Sequence, residues 1–285
     1  MSMMKKCMMT IVLCYTVFAQ AANLDFLCQA PGCIQIQHVQ PIQEYLPYLQ
    51  KFPYHLYTVC HIPNLGAFYT DKDGRYDTIK NVLRRGEAWE TFAIEIIKKY
   101  VIQGTVALDI GAHIGTHTIT MSRCVGWLGT VIAFEPQIKI YSELVENLRM
   151  NNIFNVRPLR CALGEANRQV EMDPTRLYNE GGTAVGSGGD KVEMRTLDSF
   201  NLKNVSFIKM DAENYEDRVL EGAMKTIQEN RPIMLIEIMG NTDKARETGD
   251  NLEKRKEAAI ERLESLNYKV IPAGDYLAIP MEKLS

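Results

Sequence analysis

The chain has 285 residues, 46% of them hydrophobic and 24% charged, which is enough apolar material for a full core in one principal domain. A formal net charge of −3 gives no electrostatic footprint for nucleic acid or an anionic bilayer and points to a small or neutral substrate, with membrane contact expected only through an uncleaved N-terminal segment. No CxxC pair and no HExxH occurs, so the sequence predicts no zinc site.

The chain opens with a basic "MSMMKK", an apolar "CMMTIVLCYTVF" and the small-x-small triplet "AQA" ending at Ala21. This pattern predicts a secretory signal over residues 1–21, cleaved after Ala21 or retained as an anchor. Residues 22–84 follow as an irregular extension: Pro31, Pro41, Pro47, Pro53 and Pro63 interrupt them and no long periodic run is present. In an exported chain two of Cys28, Cys33 and Cys60 could pair, whereas Cys124 and Cys161 read as small core residues.

The principal domain is expected over residues 85–280. A helix starts near Glu87, where "EAWETFAIEIIKKYV" places Trp89, Phe92, Ala93, Ile96 and Tyr100 on one face and Lys98 and Lys99 near its end. Beyond it strands and helices alternate: strand "TVALDI", a helix over 116–124, strand "TVIAFEP", helix "KIYSELVENLRMNN" and a short strand "NVRPLR". The rhythm breaks over 165–200, where two short strands, "RQVEM" and "KVEMRTL", surround the glycine-rich "NEGGTAVGSGGD", the pattern of a flap at the mouth of a sheet. It resumes with strand "VSFIKM", a helix over 215–229, strand "PIMLIEI", a charged helix over 251–266 and the closing pair "YKVI" and "DYLAIP". This is the pattern of an α/β, doubly wound, mostly parallel sheet.

The chemistry concentrates where strands end in acids. Asp109 closes "TVALDI", and Gly111 and Gly115 follow on a turn that lets backbone approach a ligand at a helix start. A dinucleotide fingerprint requires G-x-G-x-x-G, whereas this chain reads D-x-G-x-x-x-G, which suits an ammonium better than a diphosphate. Glu135 closes the next strand, where an acid accepts hydrogen bonds from both ribose hydroxyls. An ammonium-bearing ligand with a free ribose describes S-adenosylmethionine. Asp211 and Glu213 in "IKMDAENYE" lie at the same edge, positioned to orient an acceptor hydroxyl or take its proton, and Asn214 suits a left-handed turn. Glu237 ends "PIMLIEI", where an unpaired acid would be unfavourable unless it faces the site. His113 is expected to meet the cofactor through its backbone, and His117 to be a core or cap residue.

The ordered set "LDIGAHIGTHT", "VIAFEP", "CALGE", "NEGG", "TLDSF", "FIKMDAENYEDRVLEGA" and "IEI" resembles the FkbM family of S-adenosylmethionine-dependent methyltransferases. The resemblance implies the class I methyltransferase, Rossmann-like fold: seven strands, mostly parallel, the last antiparallel, with helices on both faces. It implies cofactor binding by the turn from Asp109 through Gly111, Ala112 and His113 to Gly115, by Glu135 at the ribose, by Ala162 and Leu163 beside the adenine, and by Asp211. Catalysis would fall to Asp211, Glu213 and Glu237, with a hydroxyl of a sugar, polysaccharide or small molecule as acceptor. His113 and Asn214 stand where the family often has Asn and Gly. A noncatalytic exported binding protein and a nicotinamide-dependent oxidoreductase are the alternatives, the latter disfavoured by the missing glycine fingerprint.

Overall fold

The computed structural model describes residues 52–72, 77–174, 179–238 and 252–284. The signal-like segment and the expected pairing of Cys28 or Cys33 lie outside them. Cys60 is a free thiol, 3.3 Å from the Thr70 hydroxyl.

The first described elements are strands β1 (Tyr57–Ile62) and β2 (Gly66–Asp71), paired antiparallel, and helix α1 (Thr78–Arg84). The expectation of an irregular stretch up to residue 84 is therefore corrected for this part. The reason is tertiary: helix α4 (Ile138–Met150) supplies what the hairpin lacks. Asn147 and the following Asn151 accept hydrogen bonds from Tyr69 N (2.7 Å) and Ala67 N (2.9 Å), satisfying the exposed edge of β2. Ile62, Leu65 and Phe68 share one core with Leu83 of α1 and with Ile140, Leu144 and Leu148 of α4.

Helix α2 (Thr91–Tyr100) buries Ala93, Ile94 and Ile97. The predicted face was rotated by about one position: Phe92 is exposed and Ile96 and Tyr100 are half-buried. After it come β3 (Val106–Ile110), α3 (Thr116–Val125), β4 (Thr130–Phe134), α4 and β5 (Val156–Leu159). Every residue of β3 and all but the first of β4 are buried, as a strand covered on both faces requires.

The glycine-rich region forms a sheet of its own from β6 (Ala162–Leu163), β7 (Arg168–Met172), β8 (Val185–Gly186) and β9 (Lys191–Arg195) in the order β6-β9-β7-β8. The chain then returns with β10 (Val205–Met210), α5 (Glu216–Glu221), α6 (Met224–Asn230), β11 (Ile233–Ile236), α7 (Leu252–Ser265), β12 (Tyr268–Ala273) and β13 (Asp275–Pro280). The single helix expected over 215–229 is two, interrupted at Gly222. A Cβ there would stand 2.0 Å from the Gly164 carbonyl oxygen, so the chain turns where another backbone passes.

The main sheet has seven strands in the order β12-β13-β11-β10-β3-β4-β5. Pairing is parallel from β11 through β5, and β13 runs against both of its neighbours. This is the class I methyltransferase sheet. The strand order reverses between β3 and β10, and the carboxyl ends of these two strands flank the crevice where open α/β sheets take their ligands. Among the described residues no helix is long and apolar enough to cross a membrane.

Candidate active site

A cleft of about 230 Å3 opens at that crevice. Of the residues expected there, Gly111, His113, Glu135, Ala162, Leu163, Asp211, Glu213 and Glu237 line it. Asp109, Ala112 and Gly115 are not among its lining residues. Asp109 is buried and accepts a 2.5 Å hydrogen bond from the Thr118 hydroxyl. Ala112 packs in the core and donates its N–H to the Phe134 carbonyl. Gly115 starts α3 with φ 94°, and a Cβ there would meet Leu144 at 2.8 Å, so this glycine serves helix packing.

Gly111 meets a more stringent demand. Its φ is 77°, and an added Cβ would lie 1.8 Å from the Asp211 carbonyl oxygen. The ends of β3 and β10 are thus in backbone contact, tied also by Asp211 N donating to Ile110 O (2.9 Å). Glu135 is buried, with one oxygen accepting from His113 N (3.1 Å) and the other from Gln137 N (2.9 Å). Two lone pairs remain on that carboxylate for a pair of hydroxyls.

Sequence reasoning missed the residue that organises the charges. Lys209, almost wholly buried in β10, places its ammonium 2.9 Å from Asp211. Burial alone would raise Asp211, but Lys209 holds it below the ordinary carboxylate range. Glu237 has the opposite environment: burial and the neighbouring Asp211 charge push it up to about 10. At neutral pH the pair is one carboxylate and one carboxylic acid. A lysine inside the fully buried run "VSFIKM" was the visible signal, since a buried ammonium demands a carboxylate partner.

Glu90 was also missed. It precedes α2 in a left-handed conformation, φ 45°, lines the cleft, and stands 3.6 Å from the His117 imidazole. Burial raises it to about 7. Its backbone setting comes from packing and leaves no trace in the sequence. His117 lies on the first turn of α3, buried, and burial lowers it to about 3. His113 departs from expectation in part: its N–H serves Glu135, while its buried ring also lines the cleft, with Asp77 3.9 Å from Nε2. Glu213 and Asn214 have φ 51° and 71°, the left-handed turn expected at Asn214 and one residue before it. Cys161, expected in the core, is buried in the cleft wall, and burial raises its thiol to about 12.

Three carboxylates, Asp71, Glu143 and Glu180, come together near the cleft, and the Lys80 ammonium sits among them at 2.7–2.8 Å. The positive charge there is supplied by the protein itself.

A family model, the methyltransferase FkbM domain, matches residues 109–270. The chain belongs to the FkbM methyltransferase family. The match runs from the end of β3 into the first half of β12 and leaves out β13. The chain is 27% identical over 142 residues to Methyltransferase 1 of Beauveria bassiana (strain ARSEF 2860), covering 40% of this chain and 57% of that protein. It therefore spans less than two thirds of that relative's length. It is also similar to the methyltransferase FkbM of Methylobacillus flagellatus KT, at 16% identity and a TM-score of 0.41 over 83% of this chain and 59% of the other. To a putative rRNA-methylase from Clostridium thermocellum it shows 16% identity and a TM-score of 0.44, over 65% of this chain and 90% of the other. The strand order, rather than these likenesses, carries the fold assignment.

The cofactor of the FkbM family is S-adenosylmethionine, and the cleft fits it. Gly111 brings bare backbone to the cleft wall beside the Asp211 carbonyl, Glu135 faces in from the next strand, and Asp211, kept ionised by Lys209, lines the same cleft. Burial lifts Glu135 to about 8 and Glu90 to about 7, so in the unliganded protein protons neutralise part of the site's negative charge at neutral pH. Because a cationic ligand binds the ionised site better, cofactor affinity is expected to rise between about pH 6 and about pH 9, with proton release on binding. For the unliganded protein the sign is reversed. Folded values above the unfolded ones contribute stability below about pH 4.5 that is lost as pH rises through about 8. Calorimetric titration in buffers of different ionisation heat measures the released protons, and pH-independent affinity would contradict the assignment.

Proposed function

We propose that this protein methylates a hydroxyl oxygen of a sugar-like or other small-molecule acceptor. The observation that carries the reading is the convergence of Glu135, Asp211, Glu213 and Glu237 with the Gly111 turn on one cleft. S-adenosylmethionine, when bound, supplies an electrophilic methyl group on a cationic sulfur. The chain's residues bind, orient and move one proton. Glu135 accepts the ribose hydroxyls. Asp211, kept ionised by Lys209, presents negative charge to the cationic end. Glu213, set by its left-handed backbone at the cleft rim, takes or steers the proton of the acceptor hydroxyl. Protonated Glu237 hydrogen-bonds Asp211 and so holds that carboxylate in place in the cleft. Much of the rate then comes from holding the acceptor oxygen in line for transfer, so a weak base suffices.

The wall formed by Asn179, Gly181 and Thr183 covers the acceptor side and is anchored by Gln137 Nε2 donating to Glu180 O (3.0 Å). In the same proposal the signal-like segment at residues 1–21 favours an exported or membrane-linked setting, whereas the supply of S-adenosylmethionine favours the cytosol.

The test compares two variants in calorimetry with S-adenosylmethionine and in turnover against a panel of methyl glycosides. Glu135→Ala is expected to weaken cofactor binding by about 1–3 kcal/mol. Glu213→Gln should leave cofactor affinity near wild type while turnover falls. A folded wild-type protein that binds no S-adenosylmethionine would overturn the function, and unchanged turnover in Glu213→Gln would return that residue to a structural role.

A further inference from the structure

Four large apolar side chains stand out from the surface at the end of the sheet opposite the cleft. Trp127, Phe154, Leu128 and Ile102 are 83%, 69%, 68% and 53% exposed. They lie on the connections over 101–105, 126–129 and 151–155, which enter the adjacent strands β3, β4 and β5 at their amino ends. These connections are bonded to one another. Gly104 N donates to Val125 O (2.8 Å), and the Asn155 side-chain amide donates to Gly126 O (2.9 Å). The apolar groups therefore share one edge, with neighbouring strands ~4.8 Å apart.

The turn at the centre of this edge does not require them. It is closed by Gly129 N donating to Gly126 O (3.2 Å). Its glycines are structural: Gly126 has φ 67°, and a Cβ on Gly129 would come 2.7 Å from Val125 O. The central positions of such a turn are ordinarily polar, yet here they are Trp127 and Leu128. Contiguous apolar groups exposed in this way mark a contact surface.

Charge indicates what is contacted. The chain as a whole is acidic, but the three connections contain no Asp or Glu. The last turns of α2, α3 and α4, which lead into them, bring Lys98, Lys99, Arg123 and Arg149. Glu95 and Glu146 answer Lys98 and Arg149 at 2.8 Å, so the positive excess rests on Lys99 and Arg123. A projecting tryptophan–leucine tip flanked by cations matches the interfacial layer of a bilayer containing anionic lipid.

We propose that this edge is a membrane-docking face, with Trp127 and Leu128 entering the lipid interface and Phe154 and Ile102 beside them. The inference stands independently of methyl transfer. It has a consequence for that reading, because the five residues of β3 span about 17 Å between the two ends. The cleft faces away from the lipid and draws its acceptor from the aqueous side.

The experiment uses the full chain and vesicles of phosphatidylcholine with or without phosphatidylserine, with brominated acyl chains as quenchers of tryptophan emission. Wild type is compared with Trp127→Phe and with the double variant Trp127→Ser, Leu128→Ser. Bromolipid should quench and blue-shift the wild-type emission, more with phosphatidylserine, and Trp127→Phe should lose most of that response. The double variant should partition at least tenfold more weakly. Equal partition of the double variant, with Trp127 insensitive to bromolipid, would overturn the proposal and assign binding to the N-terminal segment. A lipid-independent blue shift that follows protein concentration would overturn it in favour of a second copy of the chain.

Discussion

Replacing Lys80 by methionine is expected to destabilise the protein by about 3–5 kcal/mol, the usual consequence of removing one partner from a buried ion cluster. Its side chain is 0% exposed, with Nζ 2.7 Å from Asp71 and 2.8 Å from both Glu143 and Glu180. Methionine fills the volume but leaves three carboxylates facing one another, one of them, Glu143, wholly buried. The Tyr57 hydroxyl, which donates to Glu143 at 2.9 Å, cannot replace a charge. Lys139 reaches Asp71 at 3.3 Å from a half-exposed position and compensates only in part.

The dependence on pH separates charge from shape. Burial would raise Asp71, but Lys80 and then Lys139 hold it down to about 2. Since this folded value lies below the ordinary 3.8, its contribution to stability is present above about pH 4 and lost as pH falls through about 2. In Lys80→Met the sign reverses for the cluster: the uncompensated carboxylates take up protons, and the variant gains stability relative to wild type as pH falls from 7 toward about 4. Urea unfolding at several pH values measures both effects. A loss below about 1 kcal/mol at neutral pH would show that solvent already screens the cluster.

Gly111→Ala is expected to have the largest effect on activity. The left-handed backbone alone costs an alanine about 1–2 kcal/mol. The larger consequence is steric, because the new methyl group would stand 1.8 Å from the Asp211 carbonyl oxygen. One strand end must move, and Asp211 and Glu213 move with it. A displacement of that order lowers turnover on the order of 100-fold and weakens cofactor binding in parallel. Gly115→Ala is the matched control. Its φ of 94° is equally unfavourable, but its methyl group meets the Leu144 side chain, which can turn aside. It should lower the melting temperature while leaving turnover per folded molecule near wild type. Equal turnover losses in the two variants would show that Gly111 acts through stability alone.

Much of this was legible from residues close together in the chain. The unbroken apolar runs "TVALDI", "TVIAFEP" and "VSFIKM" announced buried parallel strands, because a strand covered on both faces has no polar alternation to show. The acids ending these runs marked the ligand edge for the same reason, since a carboxylate at the end of a dry strand needs a partner or a ligand. Which acids reach the cleft was a different question. Asp109 is in register with Ala133, two residues short of Glu135, and so accepts from Thr118 on the following helix, while Glu135, just past the end of β4, lines the cleft.

Net charge misled in a similar way. Averaged over the chain it is −3 and hides an acid-free edge at the amino ends of β3, β4 and β5.

The amino-acid sequence by itself determined the strands of the main sheet, most of the helices, the ligand-bearing edge and the family. The tertiary structure alone decided that β1, β2 and α1 form before the principal domain, that Lys80 joins Asp71, Glu143 and Glu180, that Glu90 enters the cleft, and that Trp127 and Phe154 share one edge. Periodicity records how one element is buried along its own length. Which charges meet in the dry interior, and which apolar groups stay outside together, follows from the packing of elements up to a hundred residues apart.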